Sequence, residues 1–135
     1  MSAGDIHTFR LNYPRPPKGL HANDRAHWRV TAKSKEAVRR EVMLRVRSLR
    51  LGELERISVQ VIWVVGDRIK RDDDGHAPLM KVICDGIGSD RGVSAHLVPD
   101  DDPAHMVKLA PVIKTVPGAD PHFCVIITEL DEVDA

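Results

Sequence analysis

Hydrophobic and polar positions divide the chain into six predicted elements separated by charged loops. Residues Ile6–Asn12 alternate as a strand does, and Pro14, Pro16 and Pro17 stop it, because proline has no N–H for a sheet ladder. An extended loop follows to about Thr31, carrying Asn23, Asp24, Arg25, His27, Trp28 and Arg29. Ala32–Arg50 predicts a helix. Val38, Val42, Val46 and Leu49 form its apolar stripe, and Lys35, Arg39, Arg40, Arg47 and Arg50 occupy the rest of its surface. Ile57–Val65 is β-branched, with Val59, Val61, Trp63 and Val65 on one face, the pattern of a strand over a core. Gly66-Asp67 ends it. Pro78 then opens a second helix, since proline is tolerated at a first helical position. Leu79, Val82, Ile83, Gly86 and Ile87 fall on one side of that helix, and Lys81 and Asp85 fall together on the other.

Gly88–Ala104 has no periodicity, and a loop of that length in a small domain is usually functional. Met106–Lys114 and His122–Leu130 predict two more strands, joined by a Pro117-Gly118 turn. The order β-α-β-α-β-β predicts an α+β class and one domain over residues 1–135, its core about 6–130, with helices covering a mixed sheet.

With 135 residues there is room for one modest core, and 42% apolar with 30% charged residues excludes the disordered and fibrous classes. No apolar run reaches the roughly 20 residues of a membrane helix, and the N-terminal stretch is not that of a secretion signal. The expectation is a cytoplasmic protein with no membrane partner. Cys84 and Cys124 lack metal-ligand spacing and read as reduced core residues, and no Cys or His pair is spaced for zinc. The formal net charge of zero conceals an asymmetry. Residues 1–50 hold 12 Lys and Arg against 4 Asp and Glu, whereas residues 51–135 hold 8 against 16. Such a split suggests a polyanion-binding surface beside an acidic site, the bland alternative being charges that intermix on one surface.

The acidic half carries the candidate chemistry. Asp72-Asp73-Asp74 lies between the buried strand and the second helix, and Asp100-Asp101-Asp102 lies in the loop after that helix. Adjacent carboxylates repel, so a run packed near a core needs neutralising, which a hard divalent cation does through oxygen ligands. In a strand-like stretch Asp72 and Asp74 point to one side and share an ion, while Asp73 points away. A third carboxylate from Asp100–Asp102 would complete a site for phosphodiester hydrolysis. The bland alternative is a pair of solvated acidic loops. A calcium loop is excluded, because aligning Asp72, Asp74 and Gly75 to it puts Lys70 and Lys81 where oxygen ligands are required. Lys81 is placed to contact a scissile phosphate or stabilise a leaving oxygen, or else to pair with Asp85. His76 reads as a solvated loop histidine, with contact to a metal or phosphate as the alternative.

These residues resemble a known family. Arg71-Asp72-Asp73-Asp74, Leu79 through Ile87, and Val98-Pro99-Asp100-Asp101 are similar to the RusA family of Holliday junction resolvases, especially its phage and prophage members. Pro16-Pro17 through Asn23-Asp24-Arg25 and His27-Trp28-Arg29 resemble the family's N-terminal region, so the similarity spans roughly residues 9–130. The resemblance implies a homodimeric, magnesium-dependent endonuclease that resolves four-way DNA junctions by paired nicks in recombination and repair, with manganese as an alternative ion. Asp72 and Asp74 match the family's Asp-x-Asp metal ligands. Asp101 matches the third metal-binding aspartate, with Asp100 or Asp102 as alternative registers, and Lys81 matches the lysine that assists the chemistry. Gly75 departs from the pattern, since the family commonly has Asn there, and the loop from Gly88 to Val98 is longer than usual. The expected phosphate contacts come from Arg15, Lys18, Arg25, Arg29, Lys33, Lys35, Arg39 and Arg40. The alternative is a catalytically weak or inactive junction-binding protein.

Overall fold

A computed structural model describes residues 4–131, so both ends of the 1–135 unit extend outside the described residues. The elements run β1 (Ile6–Leu11), α1 (Trp28–Ser48), β2 (Ile57–Val65), α2 (Ala77–Gly88), β3 (Met106–Lys108), β4 (Val112–Thr115) and β5 (His122–Glu129). They form a single α+β domain with a mixed five-stranded sheet, the class that the hydrophobic pattern predicts. β5 lies antiparallel between β1 and β2, with Phe9 opposite Val125 and Val61 opposite the same residue on the other side. β3 and β4 both run parallel to β2 along its remaining edge, β3 beside Ile57–Val59 and β4 beside Ile62–Val65.

The one strand predicted over Met106–Lys114 is therefore two. Pro111 supplies no N–H for the ladder, and the chain leaves β2 between Leu109 and Pro111 before rejoining it. The first helix also differs from expectation. It begins at Trp28, four residues before Ala32, because the His27 ring nitrogen Nδ1 accepts the Arg29 N–H at 3.1 Å and caps the first turn. Trp28, Arg29 and Val30 are all exposed, so this turn has no apolar periodicity by which to be read.

One face of the sheet is covered and the other is half open. Val59, Val61, Trp63 and Val65 of β2 and Phe123, Val125 and Ile127 of β5 pack with Val38, Val42 and Val46 of α1 and Leu79, Val82, Ile83 and Ile87 of α2. Burial of these side chains stabilises the domain by about 1.5–3 kcal/mol each for the larger ones. On the opposite face, Thr8 and Arg10 are exposed, and Gln60, Ile62, Cys124 and Ile126 are half-buried. Cys84 is fully buried as expected, with burial pushing its thiol up to about 12, whereas Cys124 lies on this open face rather than in the core. The segment from Ser89 to His105 is a packed strap. Leu97 and Val98 are buried, and the N–H groups of Ala95 and Leu97 donate to the carbonyls of Gly86 and Ile87. Among the described residues, no helix is long and apolar enough to cross a membrane.

Candidate functional site

The first aspartate triplet is a turn and not an extended strand. The Gly75 N–H donates to the Asp72 carbonyl at 3.0 Å, and the Ala77 N–H donates to the Asp74 carbonyl at 3.0 Å. The predicted alternation, with Asp72 and Asp74 on one side, therefore does not apply, because the chain must reverse into α2 within three residues. Asp72, Asp73 and Asp74 are all exposed, and their carboxylates make no hydrogen bond or ion pair among the described residues.

Beneath these free carboxylates the turn is anchored. The Gly75 carbonyl accepts the Ala22 N–H at 2.8 Å, and a Cβ at position 75 would lie 2.5 Å from His21 Nε2. His76, expected in solvent or near a metal, is fully buried. Its ring packs on Trp63 and Phe123, its Nε2 lies 3.2 Å from the Val61 carbonyl, and Nδ1 has no partner. Burial holds its pKa below the ordinary histidine value, which fits a neutral ring donating to Val61. Arg71 completes the anchor, its guanidinium 5.2 Å from the Trp63 ring and 2.8 Å from Asp67, where the bond holds the Asp67 carboxyl below its ordinary value.

The second triplet is woven into its own loop. Asp100 accepts the N–H groups of Asp101 at 2.8 Å and Asp90 at 3.4 Å. Asp102 receives the N–H groups of His105 and Met106 on its carbonyl, and its carboxylate accepts from His105 at 3.2 Å. Asp101 turns to Asp85 of α2, with which it shares a hydrogen bond, and lies 3.5 Å from Lys108 Nζ. Burial, then the bond to Asp101 and its charge, push the Asp85 carboxyl up to about 6. Burial works against ionising Asp101 too, yet the bonds from Asp85 and Lys108 hold it below the ordinary value. Two carboxylates thus face each other at this end of the helix, and their proximity disfavours ionising Asp85 while Asp101 is charged. Of the two readings of Lys81, the pair with Asp85 does not form among the described residues, and Lys81 stands exposed. The Asp85–Asp101 contact joins residues sixteen apart, which no local spacing reveals.

The two acidic groups stand at opposite ends of α2. Ala77, Lys81 and Asp85 fall four residues apart along its less buried face. The rise from Ala77 to Asp85 is roughly 12 Å and that to Lys81 roughly 6 Å. Asp101 turns instead to Asp85, toward the far end of α2 from the turn. Accordingly, no group of three or more His, Cys, Asp and Glu side chains is assembled to hold a metal ion among the described residues. The expected triad of Asp72, Asp74 and Asp101 is not gathered, and Asp100 and Asp102 are occupied as loop caps.

The basic residues also divide. Arg39 donates to the carbonyls of Val93 and Arg91 and packs beside Gly92, so it fastens α1 to the strap rather than presenting free charge. Arg40 pairs with Glu36 at 3.5 Å and Arg15 with Asp24 at 3.4 Å, both pairs at the surface. Lys18, Arg25, Arg29, Lys33 and Lys35 are exposed without ion pairs among the described residues. The loop bearing Lys18 docks on α1, with the Ser34 hydroxyl donating to the Lys18 carbonyl at 2.8 Å. Gly19 there has φ +90°, and a Cβ would meet Thr31 Oγ1 at 2.3 Å, so both the backbone conformation and the close approach require glycine. The loop continues through His21 and Ala22 to the acidic turn, joining the two charged regions. No protein-family model matches the chain, and no curated protein sequence matches it.

Proposed function

We propose that this protein is a magnesium-dependent, structure-selective endodeoxyribonuclease that resolves four-way DNA junctions by paired nicks, acting as a homodimer. The observation that carries the reading is the Asp72–Asp74 turn: three solvent-facing carboxylates with no partner among the described residues, on a buried base, next to a loop and helix start that expose Lys18, Arg25, Arg29, Lys33 and Lys35. These are hard oxygen donors, and magnesium takes only one or two carboxylates when substrate phosphate supplies further ligands. Asp72 and Asp74, which match the Asp-x-Asp ligands of the resembling family, are the residues that would hold the ion. When bound, it would activate water and offset charge on the phosphate.

The chain's own contribution is positioning and charge. Lys81, one helical turn into α2 and free of Asp85, would approach the phosphate or leaving oxygen. Lys18, Arg25, Arg29, Lys33 and Lys35 would hold the DNA backbone, giving binding that weakens steeply with salt. A two-fold homodimer would match the near two-fold symmetry of a junction and place two turns on opposite strands. The sequence resemblance to RusA resolvases points the same way.

The test is incubation of a labelled synthetic four-way junction, beside a matched linear duplex, with magnesium or with EDTA. Symmetric nicks confined to the junction, and only with magnesium, are expected. Tight junction binding without a cut would replace this reading with a non-catalytic binding module, which the separation of Asp101 from Asp72 and Asp74 favours. Neither binding nor cutting would reject both.

A further inference from the structure

The two tryptophans occupy opposite environments: Trp63 is 5% exposed in the core, whereas Trp28, the first residue of α1, is 68% exposed. An indole this exposed buries little of itself in the fold. Its neighbours nevertheless arrange around it. The His27 ring stacks at 5.7 Å and 28°, and the Arg29 guanidinium lies 5.3 Å from the indole centroid. With Val30, Ala32, Lys33 and Glu36, Trp28 and Arg29 line a shallow concavity of about 470 Å³.

The charge around this platform selects its occupant. Arg25, Arg29 and Lys33 are exposed, and the first turn of α1 has no acidic residue. The one carboxylate at the rim, Glu36, is paired with Arg40. A flat apolar ring inside a cationic border suits a ligand that is itself flat and apolar on a polyanionic chain, namely an unpaired DNA base. Position agrees. Ala22 is bonded to Gly75 of the acidic turn, and the six residues from Ala22 to Trp28 reach at most about 22 Å, a few nucleotides of single strand.

Taking from the preceding reading only that the ligand is DNA, we propose that the His27–Trp28–Arg29 platform is a stacking site for an unpaired base beside a branch point, giving the protein a preference for opened over fully paired DNA. The site is separate from the carboxylate turn and works without metal.

The experiment uses the full chain in EDTA, with oligothymidylate and linear duplex as probes. Base–aromatic stacking is worth about 1–3 kcal/mol, so Trp28→Ala should bind oligothymidylate at least about fivefold more weakly and duplex with unchanged affinity. Trp28→Phe should keep most of the affinity. It should also lose the quenching of indole emission that oligothymidylate causes in the unmodified protein, because only buried Trp63 remains. Since Trp28 packs into no core, both variants should melt with the unmodified protein. Equal affinity of Trp28→Ala and the unmodified protein for oligothymidylate would overturn the proposal. So would an equal loss for both probes with conversion to a smaller species in sedimentation, which would assign Trp28 to a contact between copies. Trp28-dependent binding in a protein that never nicks junctions would keep this site and reject the nuclease. Nicking with Trp28-independent binding would do the reverse.

Discussion

Asp72–Asp74 and Asp100–Asp102 are identical tripeptides, and the fold treats them in opposite ways. The second triplet spends its carboxylates on N–H donors of its own loop, on Asp85 and on Lys108. Among the described residues the first has none of these partners. Its backbone makes the turn bonds while its side chains stand in solvent over a base of Gly75, His76 and Trp63. A run of carboxylates is therefore no signal by itself; what matters is whether backbone donors lie within reach. Where they do, the run is a loop-building device. Where they do not, the charge is available to something outside the protein.

The largest consequence falls on the first triplet. Asp74→Asn should lower junction nicking at least about 100-fold, the loss of about 2.7 kcal/mol from the barrier, while junction binding and melting temperature stay put. A variant that nicks normally would make the two triplets alike in having no chemistry. In the second triplet the effect should be on stability instead. Asp100→Ala leaves the Asp90 and Asp101 N–H groups without their acceptor and should cost about 1–2 kcal/mol in urea denaturation, with no change in nicking per folded molecule. An unchanged midpoint would contradict its role as a loop cap.

The Asp85–Asp101 contact makes a pH-dependent prediction. Asp85 has a folded-state pKa of about 6 against an ordinary 3.8, so its stabilising contribution is full below 3.8 and is lost as the pH rises through 6. Asp101 is shifted down, so its contribution is present above 3.8 and is lost as the pH falls below it. Asp85→Asn keeps a neutral hydrogen-bonding partner for Asp101 at every pH. It should therefore stabilise the protein above pH 6, by about 1 kcal/mol once solvent screening is allowed for, and bring no gain below pH 4. A pH-independent difference in melting temperature would rule out this coupling. The smallest effect belongs to Gly75. Gly75→Asn displaces the far end of the half-buried His21 ring, whose Nδ1 accepts the Asn23 N–H, and should cost under about 1 kcal/mol, because the clash is with the end of one side chain. Adding His21→Ala should restore the midpoint, and failure to do so would mean that the clash lies with the backbone at Asp72.

Much of the fold was readable in advance because it rests on long hydrophobic patterns. β2, α2, β5 and the buried face of α1 follow directly from the spacing of Val, Ile and Leu. The split between β3 and β4 was visible in principle at Pro111 but hidden within an apolar run. The early start of α1 depends on a His27 cap and an exposed first turn, which carry no periodicity. At the site, exposure and partners were the hidden quantities. His76 lies in a charged loop by sequence and in the core by structure, because Trp63 and Phe123 reach it from strands β2 and β5. Asp85 meets Asp101 across the strap, and Arg39 meets Val93. Each is a contact between distant residues, beyond the reach of local spacing.

The difference between the triplets is most directly measured by adding manganese, a paramagnetic ion that suits the same oxygen donors, to the full chain and following its amide NMR signals. Free carboxylates on one turn only predict that substoichiometric manganese broadens Asp72, Asp73, Asp74 and Gly75 first and spares Asp100, Asp101 and Asp102. Broadening that begins at Asp100–Asp102, or that spreads evenly over the acidic surface, would contradict the assignment of the first triplet as the cation site.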